Sequence, residues 1–224
     1  MMELYLDTVD VEQVNRLNQC LPIKGVTTNP SILAKAGVGV NQSLTDIAAL
    51  LGKDARFHVQ VVSQTVDEIV AEAKQIDALL YDMVVKIPAT EVGLAAIKQV
   101  KKQNIQVLAT AIYSTQQGIF AAMCGADYLA PYVNRMDTMG GNGLAVVADL
   151  QSLINQNDLA CKVLPASFKN TSQVIEVMKL GVGAITIPVD IACQMITHPA
   201  VDSAVEQFNQ DWQKTFGNKL SFES

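Results

Sequence analysis

The sequence predicts a single closed (β/α)8 barrel of the TIM type, with an additional C-terminal helix. Three observations predict it. Eight short, β-rich apolar runs recur along the chain, starting roughly every 22–34 residues. Each gap between them holds one amphipathic helix and two short loops, which is the βα unit of a parallel sheet. The 224 residues leave little beyond eight such units, and barrels of about 200–250 residues fold as one domain. The expected domain spans 1–224, with the extra helix at about 199–216. A doubly wound open sheet is the alternative. It usually has fewer strands and a Gly-rich first turn, whereas the first turn here, Asp7-Thr8-Val9-Asp10, has no glycine.

The predicted strands, in order, are Leu4–Asp7, Gly25–Asn29, Phe57–Val62, Met83–Pro88, Gln106–Ile112, Tyr128–Val133, Lys162–Ser167 and Ala184–Pro188. They are apolar on both faces, as parallel strands covered by helices must be. The intervening helices begin at capping boxes: Asp10 to Gln13, Thr65 to Glu68, Ser114 to Gln117 and Asn170 to Gln173. Val66, Ile69, Val70, Ala73, Ile76 and Leu80 form one helical stripe. Gly52, Gly125 and Gly181 stand where left-handed C-terminal caps are needed. VVKIPAT around Ile87 and AITIPVD around Ile187 form a weak half-barrel echo. After the eighth strand, Pro199 opens a helix with Val201, Ala204, Val205, Phe208, Trp212 and Phe216 on one stripe. That stripe caps the barrel's own body or docks on a neighbouring subunit.

Half the residues are apolar and 17% are charged, which excludes a disordered chain. No apolar run approaches the ~18–20 residues of a membrane span, and MMELYLDTVD lacks the basic and apolar regions of a secretory signal. The four cysteines, Cys20, Cys124, Cys161 and Cys193, show no C-x-x-C or metal-ligand spacing. Reduced thiols in a cytoplasmic protein are expected. The net charge is −6, with the 16 Lys and Arg scattered. No nucleic-acid or membrane partner is expected, and an anionic ligand must be held by a few local cations or dipoles.

Lys86 is the most informative residue. It stands near the C-terminal end of strand four, in Asp82-Met83-Val84-Val85-Lys86-Ile87-Pro88. A lysine on a helix reaches water along its stem, but one in a rigid apolar strand has few exits. Pointing inward, it lies in the barrel mouth. At its ordinary pKa of ~10.4, about one amine in two or three thousand is neutral at pH 7; burial lowers that pKa and makes a nucleophile suited to a Schiff base. The alternative is a lysine reaching solvent or a carboxylate. Asp7, Thr27, Asn29, Gln60, Thr110, Tyr132 and Ser167 lie at or near the other strand ends. In a barrel those ends face one common site. Arg135 and Lys169 follow strands six and seven. An arginine fork suits a phosphate or carboxylate, and loops after strands seven and eight often bind phosphate. Arg135 has an ion pair with Asp137 as its alternative. Gly140-Gly141-Asn142-Gly143 either offers amides to an anion or leads flexibly into a helix. His58 falls in strand three, where a core position is the plain reading. No H-E-x-x-H, Cys–His cluster or G-x-S-x-G motif occurs, so no metal or other cofactor is expected.

LYLDTVD with Asp7, GVTTNPSIL with Asn29, VVKIPAT with Lys86, ATAIY with Thr110, APYVNRMD with Tyr132 and Arg135, and ASFK with Ser167 resemble the transaldolase family. Within it they resemble the short fructose-6-phosphate aldolase branch, across nearly the whole chain. The resemblance implies a metal-free class I mechanism, in which Lys86 forms a Schiff base with the ketone donor. It implies that Asp7 and Asn29, with Thr27 beside them, hold donor hydroxyls. Gln60, Thr110 and Tyr132 would position water or move protons, Tyr132 foremost. Arg135 and Ser167, with Lys169 a lesser contributor, would take the acceptor's phosphate. Transaldolases proper carry a glutamate where this chain has Gln60, and tend to carry phenylalanine near the strand-six loop. The pair Gln60 and Tyr132 matches the aldolase branch, with transaldol transfer and a non-catalytic sugar-phosphate-binding barrel as the alternatives. Pro165 departs from the small residue expected before Ala166-Ser167, removing a donor from strand seven. The family also implies a pentamer-based homo-oligomer, commonly of ten subunits, with the C-terminal helix crossing to a neighbour.

Overall fold

The computed structural model describes residues 2–223. Eight parallel strands form one sheet: β1 (Glu3–Asp7), β2 (Ile23–Thr27), β3 (Arg56–Gln60), β4 (Asp82–Pro88), β5 (Val107–Ile112), β6 (Tyr128–Pro131), β7 (Lys162–Val163) and β8 (Ala184–Ile187). The order runs β8, β1, β2 and onward to β7, so each strand neighbours the next in sequence. β7 and β8 meet where Thr186 N donates to Pro165 O at 3.2 Å. The barrel predicted from the sequence is therefore present and nearly closed, with helices between its strands.

Several strands end earlier than predicted. β2 stops at Thr27 because Asn29 already caps the helix Pro30–Ala36, accepting from Ile32 N at 3.0 Å. β3 stops at Gln60 and β6 at Pro131, and Val133 begins a helix of its own. The largest correction is β7, which is two residues long rather than reaching Ser167. Pro165 has no N–H for a ladder, and Ser167 turns to a left-handed φ of 62°. Only a single bridge, Tyr132 to Ala166, continues the pairing.

The N-cap half of each of the four predicted capping boxes forms, with Asp10, Thr65, Ser114 and Asn170 each accepting from the amide three residues on. The reciprocal side chains of Gln117 and Gln173 take the amide one residue before the cap instead. The stripe after β3 buries Ile69, Val70, Ala73 and Ile76. Leu80 does not join it, because the helix ends at Asp77 and leaves Leu80 98% exposed. Tyr5, Val84, Leu108, Tyr128, Ala130, Leu164 and Ala184 fill the barrel interior. Charged groups close its N-terminal face. Glu3 accepts from Tyr5 OH and Tyr128 OH, each at 2.9 Å, and from Lys162 Nζ at 2.7 Å. Arg56 pairs with Asp82 at 2.9 Å and donates to Tyr128 OH.

The last helix, Pro199–Phe216, matches the expected boundaries and buries none of its residues against this chain. Val201, Val205, Phe208 and Phe216 stay exposed. Among the described residues no helix is long and apolar enough to cross a membrane.

Candidate active site

Polar side chains from the C-terminal strand ends line a cavity of about 130 Å³. Asp7, Thr27, Asn29, Lys86, Tyr132, Arg135, Ser167 and Thr186 supply the polar wall, and Leu108, Ala130, Leu164 and Ala166 the apolar one. Register explains the convergence. Partners across a parallel ladder point to the same side, and Asp7 pairs with Thr27 as Gln60 pairs with Lys86 and Lys86 with Leu108.

Lys86 is 4% exposed. Its amine donates to the carbonyl of Thr28. Burial pushes its pKa below the ordinary lysine value, and the charge of Asp7 opposes that only in part. Beside it runs a chain of hydroxyls. A carboxylate only accepts, so Thr27 Oγ1 donates to Asp7 Oδ1 at 2.7 Å and takes its own hydrogen bond from Thr186 Oγ1, also at 2.7 Å. The hydroxyl protons of both threonines are then committed, and the second oxygen of Asp7 has no hydrogen-bond partner among the described residues.

Tyr132 forms the opposite wall. Its hydroxyl shares a 2.9 Å hydrogen bond with Thr110 Oγ1, and burial raises its pKa, so it holds its proton at neutral pH. Thr110 is fully buried behind it. A register shift between Ala109 and Ile112, with Ala111 at φ 56°, sets this part of β5. A left-handed alanine costs roughly 1–2 kcal/mol, and here the bend lies beside the Thr110–Tyr132 contact.

Arg135 stands at the rim with its guanidinium 4.8 Å above the Tyr132 ring centroid. Asp137 does not pair with it, because that carboxylate is taken by Gly143 N at 2.8 Å and Gln173 Nε2 at 2.7 Å. The amides of Gly140, Gly141 and Gly143 are all taken, by Asp137 O, Met136 O and the Asp137 carboxylate, so these three are not offered to an anion. Gly143 is needed for closeness instead: a Cβ there would stand 2.5 Å from Val133 O. Ser167 is aimed at the cavity by its left-handed backbone, with Asn134 N on its carbonyl at 2.7 Å.

Gln60, Thr110 and Lys169 do not line the cavity. Gln60 is half-buried beside Lys86 on the ladder, Thr110 is buried against the Tyr132 hydroxyl, and Lys169 is exposed past the buried Phe168. Asn29 does line the cavity, although its Oδ1 caps a helix, so its amide nitrogen is the part free to face a ligand. Thr186 and Tyr113 escaped the sequence reading. The half-barrel echo held a signal for Thr186, since aligning VVKIP with AITIP sets it on Lys86. His58 is a fully buried core residue with no hydrogen-bond partner on either nitrogen. It sits edge-on to Tyr5 and Tyr128, with ring centroids 4.6 and 5.3 Å away. Burial, then the charges of Lys86 and Arg56, hold it neutral. Among the described residues no cluster of His, Cys, Asp and Glu is gathered to hold a metal ion.

The family described as Transaldolase/Fructose-6-phosphate aldolase matches residues 4–223. The chain belongs to that family. The match runs from within β1 to beyond the terminal helix, and so includes every residue that lines the cavity. More distant solved structures share the fold alone. A Sinorhizobium meliloti protein provisionally described as an isomerase aligns with a TM-score of 0.60 at 11% identity, covering 85% of this chain and 52% of its own. A double mutant of flavocytochrome b2 with sulfite bound aligns with a TM-score of 0.59 at 12% identity, covering 84% and 56%. The chain thus spans about half the length of these structures.

Proposed function

We propose that this family member is a class I, metal-independent aldolase that cleaves and forms fructose 6-phosphate, and that Lys86 is its nucleophile. The buried, hydrogen-bonded amine in a polar cavity is the observation that carries the reading. The Lys86 amine adds to the C2 ketone, and water leaves to give a protonated imine. A base takes the C4 hydroxyl proton, the C3–C4 bond breaks, and its electrons move into the imine, giving an enamine and glyceraldehyde 3-phosphate. Tyr132 protonates the enamine carbon, directly or through a water shared with Thr110 and Gln60. Hydrolysis then frees dihydroxyacetone and restores the amine. Asp7 and Asn29 hold the donor hydroxyls, and Arg135 with Ser167 holds the acceptor phosphate. The neutral amide of Gln60 favours this outcome over transaldol transfer, for which a carboxylate there would suit a base.

Fructose 6-phosphate supplied with and without erythrose 4-phosphate separates the two. Release of glyceraldehyde 3-phosphate without acceptor is the expected result. Turnover only with acceptor would make the enzyme a transaldolase. Borohydride reduction with dihydroxyacetone should add its mass to the peptide holding Lys86, and no adduct there would favour a barrel that merely binds sugar phosphates.

We also propose that the uncovered stripe of the terminal helix docks on further copies of this chain in a homo-oligomer. Burying four such apolar side chains offers roughly 1.5–3 kcal/mol each. Sedimentation of the full chain at several times 24.1 kDa is expected, and a 24.1 kDa species at micromolar concentration would overturn the assignment.

A further inference from the structure

Arg135 is an exposed cation that takes part in no ion pair among the described residues. A long, unpaired arginine at a rim samples many rotamers. Two contacts restrict this one. Its guanidinium lies on the Tyr132 ring, and Nη1 donates to Tyr113 OH at 3.3 Å. Tyr113 is itself fixed. Its ring meets Tyr132 edge-on at 5.6 Å and 72°. Its backbone N–H donates to Gln117 Oε1 at 3.0 Å, and Gln117 belongs to the capping box opened by Ser114. Tyr113 does not line the active cavity. It lines a neighbouring hollow of about 190 Å³, with Met136, Met139 and Val146. Its ring reaches the cavity through Tyr132, and its hydroxyl oxygen reaches it through Arg135.

We propose that Tyr113 is a positioning residue that aims Arg135 at the phosphate of the acceptor aldehyde and so sets the preference for phosphorylated over unphosphorylated acceptors. This rests on the aldolase reading above. A guanidinium held between one ring face and one phenol oxygen is ordered before the ligand arrives, so less freedom is lost on binding. The phenol cannot pair with the cation as a carboxylate would, so the charge stays available to phosphate. A carboxylate in its place would hold Arg135 as firmly and cancel that charge.

Tyr113→Phe keeps the ring on Tyr132 and removes only the oxygen. In condensations with dihydroxyacetone, the KM of glyceraldehyde 3-phosphate is compared with that of glyceraldehyde. The wild type should favour the phosphorylated aldehyde, and the variant should shrink that ratio about tenfold, the scale of one exposed hydrogen bond to a charged group. An unchanged ratio would overturn the proposal, including the case where both KM values rise together, as a general structural defect would make them. Calorimetry with inorganic phosphate gives a second measure that needs no chemistry, with binding about tenfold weaker in the variant expected. Equal binding, or none to the wild type, would also overturn it. Weaker phosphate binding by the variant, with no condensation of either aldehyde by the wild type, would fault the aldolase reading and leave standing the placing of Arg135 by Tyr113.

Discussion

Lys86→Met should lower turnover of fructose 6-phosphate by roughly 10⁶-fold, the scale seen when a covalent nucleophile is removed, while the barrel stays folded. Methionine follows the path of the lysine stem on the same face of the strand as Val84 and beside its ladder partner Leu108, so the packing there is kept. The Thr28 carbonyl loses its donor, at about 1–3 kcal/mol. Against that, the chain no longer buries an amine. The pH dependence separates these effects. Burial holds the folded-state pKa of Lys86 below 10.5, so the penalty for its charged form is fully present at pH below the folded value. As pH rises from there toward 10.5, the unfolded chain holds a proton that the folded chain has released, and stability rises. Lys86→Met should lack that rise, as read from denaturant midpoints across pH. The kcat/KM of the wild type should rise over the lower edge of the same window as the amine is freed. A folded Lys86→Met protein that kept aldol activity would sink the assignment.

Tyr132→Phe comes next in size, with kcat expected to fall about 10²–10⁴-fold, the range for a lost general acid or base. The ring stays to support Arg135 and to meet Tyr113, and the lost oxygen unpairs only Thr110. Burial keeps the Tyr132 proton in place at neutral pH, which suits a donor to the enamine carbon. The loss should therefore fall after imine formation. Borohydride should still trap dihydroxyacetone on Lys86 in the variant. Loss of trapping in step with turnover would move Tyr132 from proton transfer to imine formation or binding, and an unchanged kcat would remove it from the chemistry.

Elements were legible in the sequence because their signals are local. Capping residues, apolar runs and helical stripes act over a few positions, and Asp10, Thr65, Ser114 and Asn170 all cap as expected. Lys86 stood out because a cation in an apolar strand is a conflict visible without any fold. Loop side chains were harder. Lys169 follows Ser167 by two residues, yet a left-handed turn aims one at the cavity and leaves the other in solvent. That turn is held by Asn134, far off in sequence. Tyr113 and Thr186 are ordinary residues whose meaning comes from partners 22 and 159 positions away. The Leu80 error was one of length: the periodic stripe ran on past the point where the helix stopped.

Trp212 is the sole tryptophan in the chain. It stands on the terminal helix, 4.5 Å from the Phe216 ring and donating to Lys219 O at 2.8 Å. Red-edge emission from this protein therefore comes from a residue of the terminal helix that does not line the cavity. Its fluorescence follows whatever covers or bares that helix. Tyr132, Tyr113, Tyr5 and Tyr128 crowd the barrel instead, so ultraviolet difference absorbance is the optical channel for the site. One cuvette thus holds two reporters, one on the terminal helix and one in the barrel.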